Sequence, residues 1–112
     1  MNISVKSVHF HADAKLVTYV EKKLSRLSKL FGRIENVEVH LKLQDSGGRV
    51  QEKIAEIQMH VPGGWLMDKK TNKTFEGAIN ASVDTLKRQL VRYKEKLTDH
   101  PNEKITDRSR RA

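Results

Sequence analysis

The sequence contains no cysteine. Disulfide staples, thiolate metal sites and cysteine nucleophiles are thereby excluded, and a reducing compartment fits. No long apolar run is present, so no stretch reads as a membrane-spanning helix. The opening residues, MNISVKSVHF, alternate where a signal peptide would be continuously apolar. A cytoplasmic protein is the expectation. Aromatic residues make up only 5% of the chain. A sheet paved with stacking rings, as in many single-strand binders, is therefore not expected. Trp65 is the one plausible stacker, and its bulk suggests a place capping the edge of the core. Its short strand, Trp65 to about Lys70, leaves open whether Trp65 and Met67 or Leu66 turns inward.

Acidic residues are also scarce relative to basic ones. Lys and Arg number 22 against 14 Asp and Glu, a formal charge of +8 on 112 residues. Such an excess on one small domain points to a polyanionic partner, nucleic acid first and an anionic membrane surface second.

The positive charge is patterned. From Phe75 to Leu97, the apolar residues Phe75, Ile79, Val83, Leu86, Leu90, Tyr93 and Leu97 recur at spacings of three and four, which places them on one helical face. Arg88, Arg92 and Lys96 climb the other side, one turn apart, and Lys87 and Lys94 flank the stripe. A second amphipathic helix is predicted from an N-cap at Asp13 to about Phe31, with Gly32 as its left-handed stop. Its buried stripe is Leu16, Val20, Leu24, Leu27 and Phe31. Lys15, Lys22, Arg26, Lys29 and Arg33 share a narrow sector opposite. Lys23 sits at the boundary, where its stem can cover apolar surface. A solvated surface helix usually interleaves signs, because pairs four residues apart stabilise it. The first helix has no acid in this sector, which favours a functional basic face.

Strands fill the rest. Residues 2–8 read as a short strand with Ile3 and Val5 on one face. Residues 36–44 alternate Val37, Val39, Leu41 and Leu43 with Glu38, His40, Lys42 and Gln44. A turn at Asp45–Arg49, centred near Gly47, leads to a strand whose inward residues are Ala55, Ile57, Met59 and Val61. Pro62-Gly63-Gly64 is a second tight turn. Asn72 and Thr74 are candidate caps for the last helix. The order β-α-β-β-β-α, with one apolar sheet face, predicts an α+β two-layer sandwich. A four-stranded mixed sheet would carry both helices on that face. The helix between the first two strands implies a parallel pair joined by a right-handed crossover. Sharing one sheet face would bring the two basic helix sides into one outward surface. Residues 1–97 are expected to form the domain and residues 98–112 a flexible polar tail.

Chemistry is sparse. No HExxH, P-loop, GxSxG or dinucleotide fingerprint occurs. A hairpin turning near Gly47 would set His40 opposite a residue in the low fifties, away from His60. Asp13, Asp45, Asp68 and Asp84 lie on different elements, where a two-metal nuclease needs them clustered. No catalytic residue, metal, cofactor or small-molecule substrate is expected. Recognition of structured RNA through its backbone and shape fits better than base readout.

Taken in order, Tyr19–Leu24 (YVEKKL), Asn36–Val39 (NVEV), His60–Gly64 (HVPGG), Ala78–Asp84 (AINASVD), Leu86–Leu90 (LKRQL) and Tyr93–Lys96 (YKEK) resemble the bacterial ribosome hibernation-promoting factor and ribosome-associated inhibitor family. The resemblance covers roughly residues 1–97 and is to the short type, without a C-terminal dimerisation domain. It implies a fold similar to double-stranded RNA-binding domains. It also implies binding to the small ribosomal subunit and its ribosomal RNA near the decoding centre. There the protein would block messenger RNA and A- and P-site transfer RNA and promote hibernation under stress or in stationary phase. A second hibernation factor is a further candidate partner, and a monomer is expected away from the ribosome. The family's basic pattern falls on Lys22, Lys23, Arg26, Lys29, Arg88, Arg92, Lys94 and Lys96. Thr85 and Val91 stand where many members are basic, and Lys87 where many are acidic. Lys69, Lys70 and Lys73 replace acids common before the last helix and are expected to widen the positive patch. The alternative reading is a general double-stranded or structured RNA-binding module acting away from the ribosome.

Overall fold

The structure, a computed structural model, describes residues 1–8, 10–45 and 51–99. His9, the hairpin turn at residues 46–50 and the segment 100–112, which contains most of the predicted tail, lie outside the described residues.

Six elements follow one another: β1 (Asn2–Val8), α1 (Ala14–Leu30), β2 (Asn36–Asp45), β3 (Gln51–Val61), β4 (Gly64–Asn72) and α2 (Phe75–Asp99). Alternation in the strands decides the sheet's two faces. Ile3 pairs with Val37 and Val5 with Val39 in the parallel β1–β2 ladder. Val39 pairs with Ile57 and Leu41 with Ala55 in the antiparallel β2–β3 ladder. These side chains point to one side. There they form a single core with Leu16, Val20, Leu24 and Leu27 of α1 and Phe75, Ile79, Leu86 and Leu90 of α2. Both helices therefore cover the same face of a sheet ordered β1-β2-β3-β4. This is the mixed-sheet, two-layer α+β sandwich expected from the sequence. The small, fully buried Ala78 and Ser82 complete the inward side of α2.

The β2–β3 hairpin differs in register from the expectation. Asp45 pairs with Gln51, and His40 faces Glu56 instead of a residue in the low fifties. His60 faces Asn36, at the far end of the ladder. The β3–β4 hairpin is tighter. Val61 pairs with Gly64, leaving Pro62 and Gly63 as its two loop residues. Gly63 has φ 89°, which a side chain would resist, and a proline before such a glycine suits a type II turn.

The helix ends are capped in three ways. Asp13 accepts a hydrogen bond from the Leu16 amide at 2.8 Å, and Thr74 Oγ1 accepts one from the Gly77 amide at 3.0 Å. Asn72, the other candidate cap, accepts instead from the Lys73 amide. The C-terminus of α1 corrects the expectation at Gly32, which is not left-handed; Gly63 is the positive-φ glycine among the described residues. The chain leaves the helix through Phe31, at φ −154° and ψ 105°. Extended there, Phe31 buries its ring edge-on to Tyr93, and Lys94 Nζ donates to the Leu30 carbonyl at 2.6 Å. An ammonium on a terminal carbonyl does what the left-handed glycine would have done.

Replacing Asp13 by Ala should cost about 1 kcal/mol, the usual worth of an N-cap. A thermal melt should show a midpoint lower by a few degrees, with Asn at the same position restoring most of it.

One apolar position departs from the stripe. Leu97 is 41% exposed, although its periodicity matches Phe75 and Leu90. It sits on the last turns of a long helix, beyond the neighbours that bury Leu90.

Candidate nucleic-acid interface

The basic residues lie where helix periodicity and packing together send them. With Leu16, Val20, Leu24 and Leu27 buried, the opposite sector of α1 faces solvent. Lys15, Lys22, Arg26 and Lys29 are exposed on it, and Arg33 follows just past its end. Lys23 is half-buried, its ammonium 5.5 Å from the centre of the Tyr19 ring. On α2, Lys87, Arg88, Arg92, Lys94 and Lys96 are all exposed.

Packing brings some of these together. The two helices run side by side in the same direction, since Lys94 near the end of α2 caps Leu30 at the end of α1. Lys23 and Arg26 of α1 face Lys87 of α2 across a shallow groove lined by Leu27, Leu30 and Val83. Lys87, Arg88 and Arg92 continue that surface around a second hollow containing exposed Val91. Arg92 bounds that hollow, and Lys96 lies one turn beyond it on the helix. They share the side of α2 on which Gln89 donates to the Met67 carbonyl of β4. Lys22 lies at the opposite margin, beside Met1 and the β1 residue Ile3. The surface thus spans the full breadth of the helical layer.

Ion pairing separates cations with a partner inside the protein from those without one. Arg88 is bound to Asp84 at 2.7 Å, one turn back on the same helix. Lys94 is engaged at the end of α1. Lys15, Lys22, Arg26, Lys29, Arg33, Lys87, Arg92 and Lys96 make no ion pair among the described residues. Lys29 and Lys96 also complement the negative ends of their helices. That local benefit does not require the unpaired charges elsewhere on the surface.

The three lysines around β4 do not form one patch. Lys70 turns toward the helical side and binds Asp68 at 2.8 Å. Lys69 projects from the opposite face of the sheet, opposite Glu56 in the ladder, and Lys73 is exposed just before α2. Consecutive strand residues point to opposite faces, so a run of lysines cannot serve a single surface.

Trp65 also lies elsewhere than expected. Leu66, opposite Met59, packs against the core. Trp65 and Met67 face outward, 49% and 53% exposed. Trp65 does not cap the core edge; its ring stacks on His60. The signal that could have revealed this is the Pro62-Gly63 turn. A two-residue loop places His60 and Trp65 opposite each other on the same face.

The model of the family described as Sigma 54 modulation protein / S30EA ribosomal protein matches residues 3–98. The chain belongs to that family. The S30EA match begins inside β1 and ends inside α2, so α1 and all the basic residues of α2 fall within it. Among relatives, the chain is 32% identical over 96 residues to the ribosome hibernation promoting factor of Pseudomonas putida, a match covering 86% of this chain and 89% of that protein. It is 29% identical over 100 residues to the protein of the same name from Klebsiella oxytoca, covering 89% of this chain and all of that one. The Thermus thermophilus Protein Y N-terminal domain superposes with a TM-score of 0.72 at 30% identity, covering 83% of this chain and 99% of that one. A ribosomal subunit interface protein from Coxiella burnetii superposes with a TM-score of 0.74 at 20% identity, which bears on the S30EA fold alone. Among the described residues no helix is long and apolar enough to cross a membrane, and no cluster of three or more His, Asp or Glu could hold a metal.

Proposed function

We propose that this protein is a ribosome-associated hibernation factor that acts by occupancy, without catalysis. It binds the small ribosomal subunit near the decoding centre through ribosomal RNA, excluding messenger RNA and A- and P-site transfer RNA. The observation that carries the reading is the set of unpaired cations on the outward sides of α1 and α2, held in fixed array by a shared core. Family membership and the names of the relatives support the choice of the ribosome over other structured RNAs. The reading places the protein in the cytoplasm, as a monomer away from the ribosome. It assigns the ribosome-binding domain to residues 1–97.

Phosphate neutralisation releases counterions, so each contact should add roughly 0.7–0.9 to the slope of log affinity against log salt. Co-sedimentation with small subunits across a salt series should give a steep negative slope. A slope near zero would remove the electrostatic basis of the proposal. Equal affinity for an arbitrary RNA duplex would favour a general RNA-binding module instead.

A further inference from the structure

The sheet face turned away from the helices has its own feature. Trp65 and Met67 project from β4 into solvent. The ladder sets His60 opposite Trp65 and Gln58 opposite Met67. The His60 and Trp65 rings stack with centroids 4.5 Å apart and planes inclined by 28°. His60 Nδ1 lies 2.8 Å from Glu35 Oε1, which anchors the imidazole from behind. The result is a two-ring stack in which His60 covers one face of Trp65, fixed by a backbone ladder and by the Glu35 carboxylate.

Size and charge decide what this site suits. A stable protein interface needs about 800 Å² from each partner. Around Trp65 and Met67 the outer face soon becomes polar, with Lys42 paired to Glu56 and His40 Nε2 3.6 Å from Glu38 Oε1. The apolar spot matches one planar group better than a protein surface or a second copy of the chain. The acids nearby are occupied: Glu35 by His60, Glu38 by His40 and Glu56 by Lys42. Lys69, two residues along β4 from Met67 and on the same face, makes no ion pair among the described residues. A half-exposed indole and, four residues along the same face of β4, an ammonium without an ion pair among the described residues, on a chain of charge +8, complement a short single strand of nucleotides.

We propose that Trp65 stacks an unpaired base of single-stranded RNA while Lys69 contacts a phosphate further along the same strand. The inference rests on the reading of an RNA partner but concerns the opposite face. The protein would then meet RNA on both sides, by phosphate contacts at the helices and by base stacking at the sheet.

Trp65 is the only tryptophan, so its fluorescence reports on this site alone. Titrating the full chain with a short oligoadenylate should quench it saturably. Trp65→Ala should weaken oligonucleotide binding, followed by anisotropy of a labelled strand, by roughly tenfold, within the range of one base–aromatic stack. Trp65→Phe should retain most of the affinity, and Lys69→Gln should lose part of it. An Arg88→Glu/Arg92→Glu variant should still be quenched, even if it no longer binds ribosomes. This separates the present inference from the helix-face reading. Absence of quenching in a chain that binds ribosomes would overturn the inference. So would quenching lost with the helix variant. If Trp65→Ala lowered ribosome affinity in a chain that binds no oligonucleotide, the site would belong to a protein contact and the inference would fail.

Discussion

Reversing Arg88 and Arg92 to Glu is expected to lower ribosome affinity by about a hundredfold at fixed moderate salt. Two charge-assisted contacts at roughly 1.5 kcal/mol each give a factor of that size. Repulsion of phosphate by the new carboxylates adds to it, so the loss should exceed that of the double alanine variant. Stability should change little. The Arg88–Asp84 pair is exposed on both sides, and such pairs contribute at most about 1 kcal/mol. A glutamate one turn from Asp84 introduces repulsion of a few tenths of a kcal/mol. Reversing Lys22 and Arg26 should weaken binding similarly, because both helices cover the same sheet face. Glu38→Gln with Glu56→Gln serves as the control. Those carboxylates lie on the outer face with His40 and Lys42 as partners, and their removal should leave affinity nearly unchanged. Affinity lost in the sheet variant and kept in both helix variants would place the main contact on the wrong face.

The opposite pattern is expected of Leu24→Ala. Leu24 is fully buried in the core shared by α1, α2 and the sheet. Truncating it removes apolar contacts and leaves a cavity, at a cost of about 2–5 kcal/mol. A domain of this size has roughly 5–15 kcal/mol in all, so the melting midpoint should fall on the order of 15 °C. Below that midpoint the basic side chains remain in place, and ribosome affinity should stay close to that of the parent chain. Leu97→Ala, at the exposed end of α2, should shift the melt by far less. Denaturant unfolding and subunit binding measured on the same preparations distinguish the two effects. An affinity loss at a temperature where Leu24→Ala is folded would mean that the RNA contact depends on core packing more finely than a rigid array allows.

The sequence alone determined the elements, the core and the identity of the basic face. The reason is periodicity. A spacing of three and four can bury only one side of a helix, and strict alternation can bury only one side of a strand. Once Leu16, Val20, Leu24 and Leu27 point inward, Lys15, Lys22, Arg26 and Lys29 must point outward, whatever the partner helix does. Periodicity does not carry beyond its own element, and there the tertiary structure decided. Leu97 keeps the stripe's phase, yet it is exposed because burial needs a neighbour as well as a direction. Gly32 was free to turn left-handed, but Lys94, remote in sequence, caps Leu30 and lets Phe31 run extended into the core. Lys69 and Lys70 are adjacent in sequence and opposed in space. The meeting of Lys23 and Arg26 with Lys87 across one groove depends on two helices lying parallel on one sheet face. The outward turn of Trp65 depends on a register set by two residues, Pro62 and Gly63. Each is a property of how elements pair, and pairing is fixed by the whole packed core.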